Sequence, residues 1–352
     1  MQEVVIQNNQ AGQRLDKFLH KYLPNAGNSF LYKMLRKKNI TLNGKRAEGK
    51  EILIPGDKVQ TFFSEDTFAC MAGKNSIDGQ DHATDHVAQE YIKAYAFLNA
   101  KPKKLQPTIL YENGDILLVN KPAGILTQKA KPADISLNEW MIGYLLETHS
   151  VAPKDLMTFK PSVCNRLDRN TSGIVLCGKT LKGSQQLSKM IKDRTLKKYY
   201  RTICKGALYE SEMLEGYLVK DHRSNKVTVI DADNPDDSGE YVKIFYRPLT
   251  HSRDKQYTLL EVELLTGKTH QIRAQLSAIG HPLIGDYKYG DPKCNTWFKE
   301  RYGLEYQLLH AAKVVFPQNE EGKSIFGVEE CTAPLPEQFV QILRDMGMKE
   351  RE

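Results

Sequence analysis

The sequence has no apolar run that approaches the ~18 residues a helix needs to cross a membrane. Its first residues show no basic flank followed by an apolar core, so they do not resemble a secretory signal. We therefore expect a cytoplasmic protein that has no membrane as a partner.

Cysteine is scarce and dispersed: six residues occur in the whole chain, and no two of them form a Cys-x-x-Cys pair. This spacing predicts neither a zinc site nor a disulfide framework. Walker and Rossmann glycine patterns are also absent. We expect a protein that uses no metal and no cofactor.

The positive charge is concentrated at one end. The 352 residues carry a net charge of +7, and residues 1–62 hold eleven Lys and Arg against five Asp and Glu. Nearly all of the excess therefore lies near the N-terminus. This distribution indicates a nucleic-acid-binding module attached to a more neutral body.

Apolar residues at helical spacing predict two short helices near the N-terminus, over 14–23 and 30–38. Asn43-Gly44 then predicts a tight turn between two strands. A solvated basic helix surface is one interpretation of the Lys and Arg in this region. Over about residues 12–62, however, the two helices, the basic edge and the hairpin resemble the αL RNA-binding domain named after ribosomal protein S4. The resemblance implies that RNA phosphates contact Lys33, Arg36, Lys37, Lys38, Lys45 and Arg46.

Residues 165–173 place one carboxylate, Asp168, between two arginines and just before a Thr-Ser-Gly turn and an apolar run. A turn that enters a buried strand can hold a polar side chain rigidly at a cleft wall. Arginine neighbours favour the ionised carboxylate and suit a phosphate-bearing substrate. The simpler interpretation is a set of structural ion pairs at the start of a strand.

This stretch resembles the catalytic signature of the RluA-type pseudouridine synthases, His-Arg-Leu-Asp-x-x-Thr-Ser-Gly, with Asn165 in place of the usual His. Five further segments resemble motifs of the same family in the same order. They are Lys121-Pro122-Ala123-Gly124, Lys198-Tyr199-Tyr200, Thr266-Gly267-Lys268-Thr269-His270-Gln271-Ile272-Arg273, Gly280-His281-Pro282-Leu283-Ile284-Gly285-Asp286-Tyr287-Lys288-Tyr289-Gly290 and Leu308-Leu309-His310-Ala311.

The resemblance implies a role for each of five residues. Asp168 is the catalytic carboxylate, acting either as a nucleophile or as a base, and Arg273 pairs with it. Tyr200 stacks on the uracil, and Leu309 lies under the target base. Arg166 is a wedge or phosphate contact when the base is flipped out of the RNA. We interpret Lys121 and His270 as structural.

The expected fold is α+β, and we predict three parts. A small αL (S4-type) RNA-binding domain spans 1–63, a linker spans 64–107, and a catalytic domain with a mixed, mainly antiparallel central sheet spans 108–345. Within the linker, the polar stretch 74–85 predicts a loop and 88–98 a helix.

The expected function is isomerisation of uridines in large-subunit (23S) ribosomal RNA by a monomer. One alternative is a catalytically inactive RNA-binding protein that acts in ribosome assembly. A glycosidase-like hydrolase is a weaker alternative, because such enzymes use two paired carboxylates and only Asp168 lies in a signature.

Overall fold

Two helices and a four-stranded antiparallel sheet form the N-terminal part of the chain. The structure is a computed structural model that describes residues 1–72, 80–221, 226–231 and 239–349. The strands lie in the order β1-β4-β2-β3, and the helices bury the apolar side chains that recur at helical spacing, such as Leu15, Phe18 and Leu31. The elements are β1 (Gln2–Val5), α1 (Leu15–Tyr22), α2 (Asn28–Arg36), β2 (Ile40–Leu42), β3 (Lys45–Arg46) and β4 (Lys58–Thr61).

The predicted turn between β2 and β3 is present. Asn43 and Gly44 both adopt the left-handed conformation, with φ of 54° and 72°. Positive φ at both central positions gives a turn whose twist matches that of the two strands it joins. The Asn43 side chain also donates to Asp57 at 2.8 Å, which ties the turn to the segment before β4.

The stretch predicted as a linker contains α3 (Glu65–Met71), α4 (Gln80–Asn99) and a short 3-10 helix (Lys103–Leu105). Residues 80–85, predicted as loop, are helical, and 74–79 lie outside the described residues. The helix α4 packs tightly on α5 (Leu137–Glu147): a Cβ at Gly143 would lie 2.2 Å from the carbonyl oxygen of Tyr91. Trp140 Nε1 donates to Asn99 Oδ1 at 2.9 Å. The helix predicted over 88–98 is therefore present as part of α4, and its buried residues Ala88 and Leu98 belong to the core of the large domain.

An eleven-stranded sheet forms the body of the chain. Nine strands run in the order β11-β10-β12-β13-β9-β14-β8-β6-β5, while β7 pairs with β8 and β15 with β14. Only β8 and β14 are parallel among the described pairs, so the predicted mixed, mainly antiparallel sheet is confirmed. The strands are β5 (Thr108–Glu112), β6 (Ile116–Lys121), β7 (Ser162–Val163), β8 (Ser172–Gly178), β9 (Lys197–Lys205), β10 (Glu212–Asp221), β11 (Lys226–Asp231), β12 (Glu240–His251), β13 (Tyr257–Leu264), β14 (Leu309–Val315) and β15 (Glu330–Thr332).

Both faces of the central strands are covered. In β6, Leu117 packs into the cluster that contains α5, whereas Leu118 packs into the cluster on the opposite face with Leu187 of α6. Burial on two faces explains why β6 and β8 are continuous apolar runs without alternation. The remaining helices are a 3-10 helix (Pro153–Met157), α6 (Leu181–Lys192), α7 (Gln271–Ala278), α8 (Pro292–Tyr302) and α9 (Glu337–Asp345). No helix in the described part of the chain is both long and apolar enough for a bilayer crossing.

Candidate active site

Asp168 lies in the loop between β7 and β8, at the end of β8 that pairs with β14. The loop backbone is fixed on both sides of the carboxylate. Thr127 Oγ1 donates to the carbonyl of Leu167 at 2.7 Å and accepts from its N–H at 3.1 Å. The carbonyl of Asp168 accepts from Thr171 N at 3.1 Å. About a quarter of the Asp168 side chain is exposed (26%), so a rigidly held carboxylate faces an open cleft.

Lys121, at the end of β6, forms hydrogen bonds to backbone carbonyls that include one in the same loop. Its ammonium is fully buried and donates to the carbonyls of Pro122 at 3.1 Å, Ile125 at 2.9 Å and Arg169 at 3.0 Å. Burial lowers the pKa of Lys121 to about 7, although the charge of Asp168 opposes that shift. The three carbonyls take all three donors of the charged form. Lys121 thus fixes the backbone directly after Asp168.

Asn165, which stands where the family has His, joins the loop to β8. Its Oδ1 accepts from Leu176 N at 2.7 Å, and its Nδ2 donates to the carbonyl of Ile174 at 3.5 Å. The neutral amide of Asn165 therefore makes both hydrogen bonds between the loop and β8.

Arg273, in the first turn of α7, joins two carboxylates. Its Nη1 donates to Asp168 Oδ2 at 2.9 Å. Its Nε and Nη2 donate to the two oxygens of Asp286 at 2.7 and 2.8 Å. The predicted contact between Arg273 and Asp168 is present, and Asp286 is a further member that the sequence analysis did not select. Its signal in the sequence was its place in the family-like segment over residues 280–290.

Arg273 and the two carboxylates favour one another's ionised forms. Burial opposes ionisation of Arg273, but hydrogen bonds and attraction to Asp286 and Asp168 raise its pKa above the ordinary value. Burial likewise opposes ionisation of Asp286, yet Arg273 and the N–H groups of Lys288 and Tyr289 lower its pKa. Asp286 is fully buried. A buried charge needs such pairing. Asp286 therefore holds the Arg273 guanidinium in a fixed position against Asp168, and we call this pair the clamp.

His270, interpreted above as structural, also reaches the site. It adopts the left-handed conformation just before α7, with φ of 57°. Its Nε2 lies 3.8 Å from Asp168 Oδ2, and its Nδ1 lies 3.0 Å from the hydroxyl of Tyr289. Burial lowers the pKa of His270, while Asp168 opposes that shift. The imidazole is therefore neutral at neutral pH and forms one wall beside the carboxylate.

Tyr200 and Leu309 lie on the neighbouring strands β9 and β14. Thr202 pairs with Leu309, and Tyr200 pairs with Ala311. Both side chains are buried in one apolar cluster that also contains Leu167, next to Asp168. Burial, followed by the charge of Asp168, raises the pKa of Tyr200, which keeps the phenol neutral. The structure thus brings together the predicted base-contacting residues and the carboxylate.

The Thr-Ser-Gly part of the signature allows β14 to reach the site. Gly173 has φ of 109°, and a Cβ there would lie 2.3 Å from the carbonyl oxygen of Ala311. Beside it, Ser172 Oγ lies 2.8 Å from Nδ1 of His310, which is fully buried. Burial lowers the pKa of His310 to about 4. Because a side chain at position 173 would meet the backbone of Ala311, Gly173 is required for the parallel contact between β8 and β14 that positions Leu309.

The predicted RNA-contacting side chains are exposed. Arg166 is exposed in the loop that carries Asp168, and the other six lie on α2, on β3 and in the turn after α2. Their side chains make no hydrogen bond or ion pair with any described residue, so all remain available to an anionic partner. The six are Lys33, Arg36, Lys37, Lys38, Lys45 and Arg46. Across the described ranges, no group of three or more His, Cys, Asp or Glu is arranged to hold a metal ion.

Comparison with known proteins agrees with this geometry. The family model described as RNA pseudouridylate synthase matches residues 115–278. The chain is 28% identical over 313 residues to an uncharacterized RNA pseudouridine synthase of Mycoplasma genitalium, which covers 88% of each chain. It is 27% identical over 338 residues to the ribosomal large subunit pseudouridine synthase D of Neisseria meningitidis serogroup B, covering 95% of this chain and 78% of the relative.

A further relative matches almost end to end. The ribosomal large subunit pseudouridine synthase C of Vibrio cholerae is 27% identical over 352 residues, covering 98% of this chain and 97% of the relative. Among solved structures, human RNA pseudouridylate synthase domain containing 4 superposes with a TM-score of 0.57 at 18% identity. It covers 74% of this chain and 100% of its own. That likeness concerns the fold.

Proposed function

We propose that this chain is a member of the RluA-type pseudouridine synthases and that it isomerises specific uridines of large-subunit (23S) ribosomal RNA, with Asp168 as the catalytic residue. The observation that carries this proposal is the partly exposed Asp168 carboxylate, which accepts a hydrogen bond from Arg273 and whose charge acts on the buried phenol of Tyr200. We further propose that the protein acts in the cytoplasm as a monomer.

Support for the RNA class comes from the relatives. The proteins of Neisseria meningitidis and Vibrio cholerae are both named for the large ribosomal subunit, and both align with nearly all of this chain. The aligned region includes the basic N-terminal part. We propose that this part is an S4-type domain that binds RNA phosphates, since its cations lie exposed on α2 and on the β2–β3 hairpin.

The reaction converts one isomer into another. The bond between uracil N1 and ribose C1′ breaks, the base turns, C5 bonds to C1′, and the C5 proton is replaced by a proton on N1. Asp168 starts this sequence either by attacking C1′ or by removing the 2′ proton of the ribose. Both routes need an ionised carboxylate held still, which the Nη1 of Arg273 provides. No net oxidation, reduction or group donor enters this balance, and we propose that no cofactor takes part.

The remaining residues bind the base. A uridine inside folded RNA must leave the stack to reach Asp168, and the exposed Arg166 is placed to fill the gap or to hold a phosphate. Tyr200 then offers a neutral ring for stacking, and Leu309 lies in the same apolar cluster beneath the base. We propose that the phenol of Tyr200 also assists the final proton transfer.

The test uses transcribed ribosomal RNA with tritium at C5 of uridine, from which isomerisation releases the label. We expect release from protein-free large-subunit RNA and none from protein-free small-subunit RNA that carries the same label. Release from small-subunit RNA alone would contradict the proposed substrate. Tight RNA binding without release from any RNA would instead favour the inactive assembly factor.

A further inference from the structure

Lys198, on the strand that carries Tyr200, has no hydrogen-bond or ion-pair partner among the described residues. Lys198 lies on β9 two residues before Tyr200, so strand alternation places both side chains on the same face of the sheet. Glu263, near the end of β13, pairs with Tyr199, so Lys198 lies where β13 gives way to the segment that carries His270. The position of a Cβ on Gly267, in that segment, is 3.7 Å from Lys198 Nζ.

The charge of Lys198 is not neutralised within the described structure. Its side chain is partly buried, yet the ammonium makes no hydrogen bond or ion pair with any described residue. Burial lowers the pKa of Lys198, and no described carboxylate offsets the effect. The other buried cations of the site differ: Arg273 has two carboxylates and Lys121 has three carbonyls.

A partly buried ammonium without a counter-ion is costly, and an anionic ligand removes that cost. Uracil and ribose are neutral, so in an RNA substrate only the phosphodiester can supply the anion. Resting on the proposed function, we propose that Lys198 binds a backbone phosphate next to the reacting nucleotide. It is a substrate-binding residue, and it makes the cleft selective for uridine within a polynucleotide over the free nucleoside.

The chain offers a matched control. Lys197 precedes Lys198 on β9, is exposed, and points to the opposite face. Replacing either lysine with Met removes one charge and keeps the length of the side chain. Lys198→Arg keeps the charge and completes the set.

Two readouts decide the proposal. RNA affinity is measured against salt concentration in the Asp168→Asn background, and KM and kcat are measured by tritium release with Asp168 intact. For Lys198→Met we expect the salt slope to become shallower by about 1. We also expect KM to rise about tenfold with kcat within about twofold of the wild-type value. Lys198→Arg and Lys197→Met should resemble the wild type.

Other outcomes overturn the proposal. An unchanged slope and KM in Lys198→Met would show that no phosphate binds there, and a fall in kcat at constant KM would assign Lys198 to chemistry or to folding. Thermal unfolding controls for the fold: Lys198→Met should unfold at no lower temperature than wild type, because it loses an unpaired charge. If the wild type binds RNA but releases no tritium, the proposed function fails, and the salt slope still decides the role of Lys198.

Discussion

Asp286 and Arg273 form a buried ion pair with two hydrogen bonds, and this pair points the remaining edge of the guanidinium at Asp168. The pair is buried, whereas about a quarter of the Asp168 side chain (26%) remains exposed, so the pair fixes the carboxylate's position without blocking access to it. Lys121 and Thr127 fix the loop backbone on either side. The site is therefore built before RNA arrives, as catalysis by a positioned carboxylate requires.

Substituting Asp286 tests this arrangement. Asp286→Asn leaves the Arg273 charge buried with one carboxylate instead of two, and we expect unfolding free energy to fall by about 3–5 kcal/mol. We also expect kcat to fall about 100-fold through misplacement of Asp168. Denaturant unfolding and single-turnover tritium release measure the two effects.

Arg273→Lys provides the companion variant, because an ammonium cannot bond to both oxygens of Asp286 and also to Asp168 in the geometry of a guanidinium. We expect a similar loss of kcat with RNA affinity within about threefold of wild type. Wild-type kcat in both variants would show that the clamp does not position Asp168.

Gly173→Ala tests the contact between β8 and β14. The added methyl group meets the backbone of Ala311 at 2.3 Å, and φ of 109° is strained for alanine. We expect a loss of about 2–4 kcal/mol in unfolding free energy and a lower kcat, because Leu309 moves with β14. Gly114→Ala is the matched control, since nothing lies within 4 Å of its added methyl. Equal stability of the two variants would contradict the account.

His310 predicts a pH dependence of stability. Its pKa falls from 6.5 to about 4 in the folded protein because burial disfavours the charged ring. Its stabilising contribution is complete above pH 6.5 and is lost as the pH falls to about 4, which corresponds to about 3 kcal/mol. Unfolding free energies of wild type and His310→Asn, measured between pH 4 and 7.5, should therefore converge as the pH falls. If the two unfolding free energies differ by the same amount at every pH, His310 is not the source of the pH dependence.

The basic N-terminal surface should act through phosphates. Changing Lys33, Arg36, Lys37 and Lys38 together to Ala should make the salt slope of RNA binding shallower by about 3. A control that changes Lys189 and Lys192 of α6, which have the same helical spacing as Lys33 and Arg36, should leave the slope unchanged. An unchanged slope in the fourfold variant would defeat the phosphate-binding assignment.

Local signals in the sequence predicted much of this structure. The Asn43-Gly44 turn and the two N-terminal helices were predicted because each depends on a short motif or on periodic burial. The contact between Arg273 and Asp168 and the mixed sheet were predicted from the family resemblance.

The rest depends on long-range packing that no local pattern encodes. Asp286 meets Arg273 because the segment after α7 packs on β9, where Ile284 N donates to the carbonyl of Ile203 at 3.0 Å. His270 turns toward Asp168 through a left-handed backbone conformation. The helix α4 was missed over 80–85 because its polar start resembles a loop, whereas its later turns are fixed by packing on α5.

The most direct test of the central claim is the pseudouridine content of large-subunit ribosomal RNA after incubation with Asp168→Asn, with wild type and Asp193→Asn as controls. Asp193 is an exposed carboxylate that directly follows α6 and lies outside the signature. We predict pseudouridine with wild type and Asp193→Asn, and none above background with Asp168→Asn, although its RNA affinity remains within about threefold of wild type. Pseudouridine formation by Asp168→Asn at the wild-type rate would contradict the account.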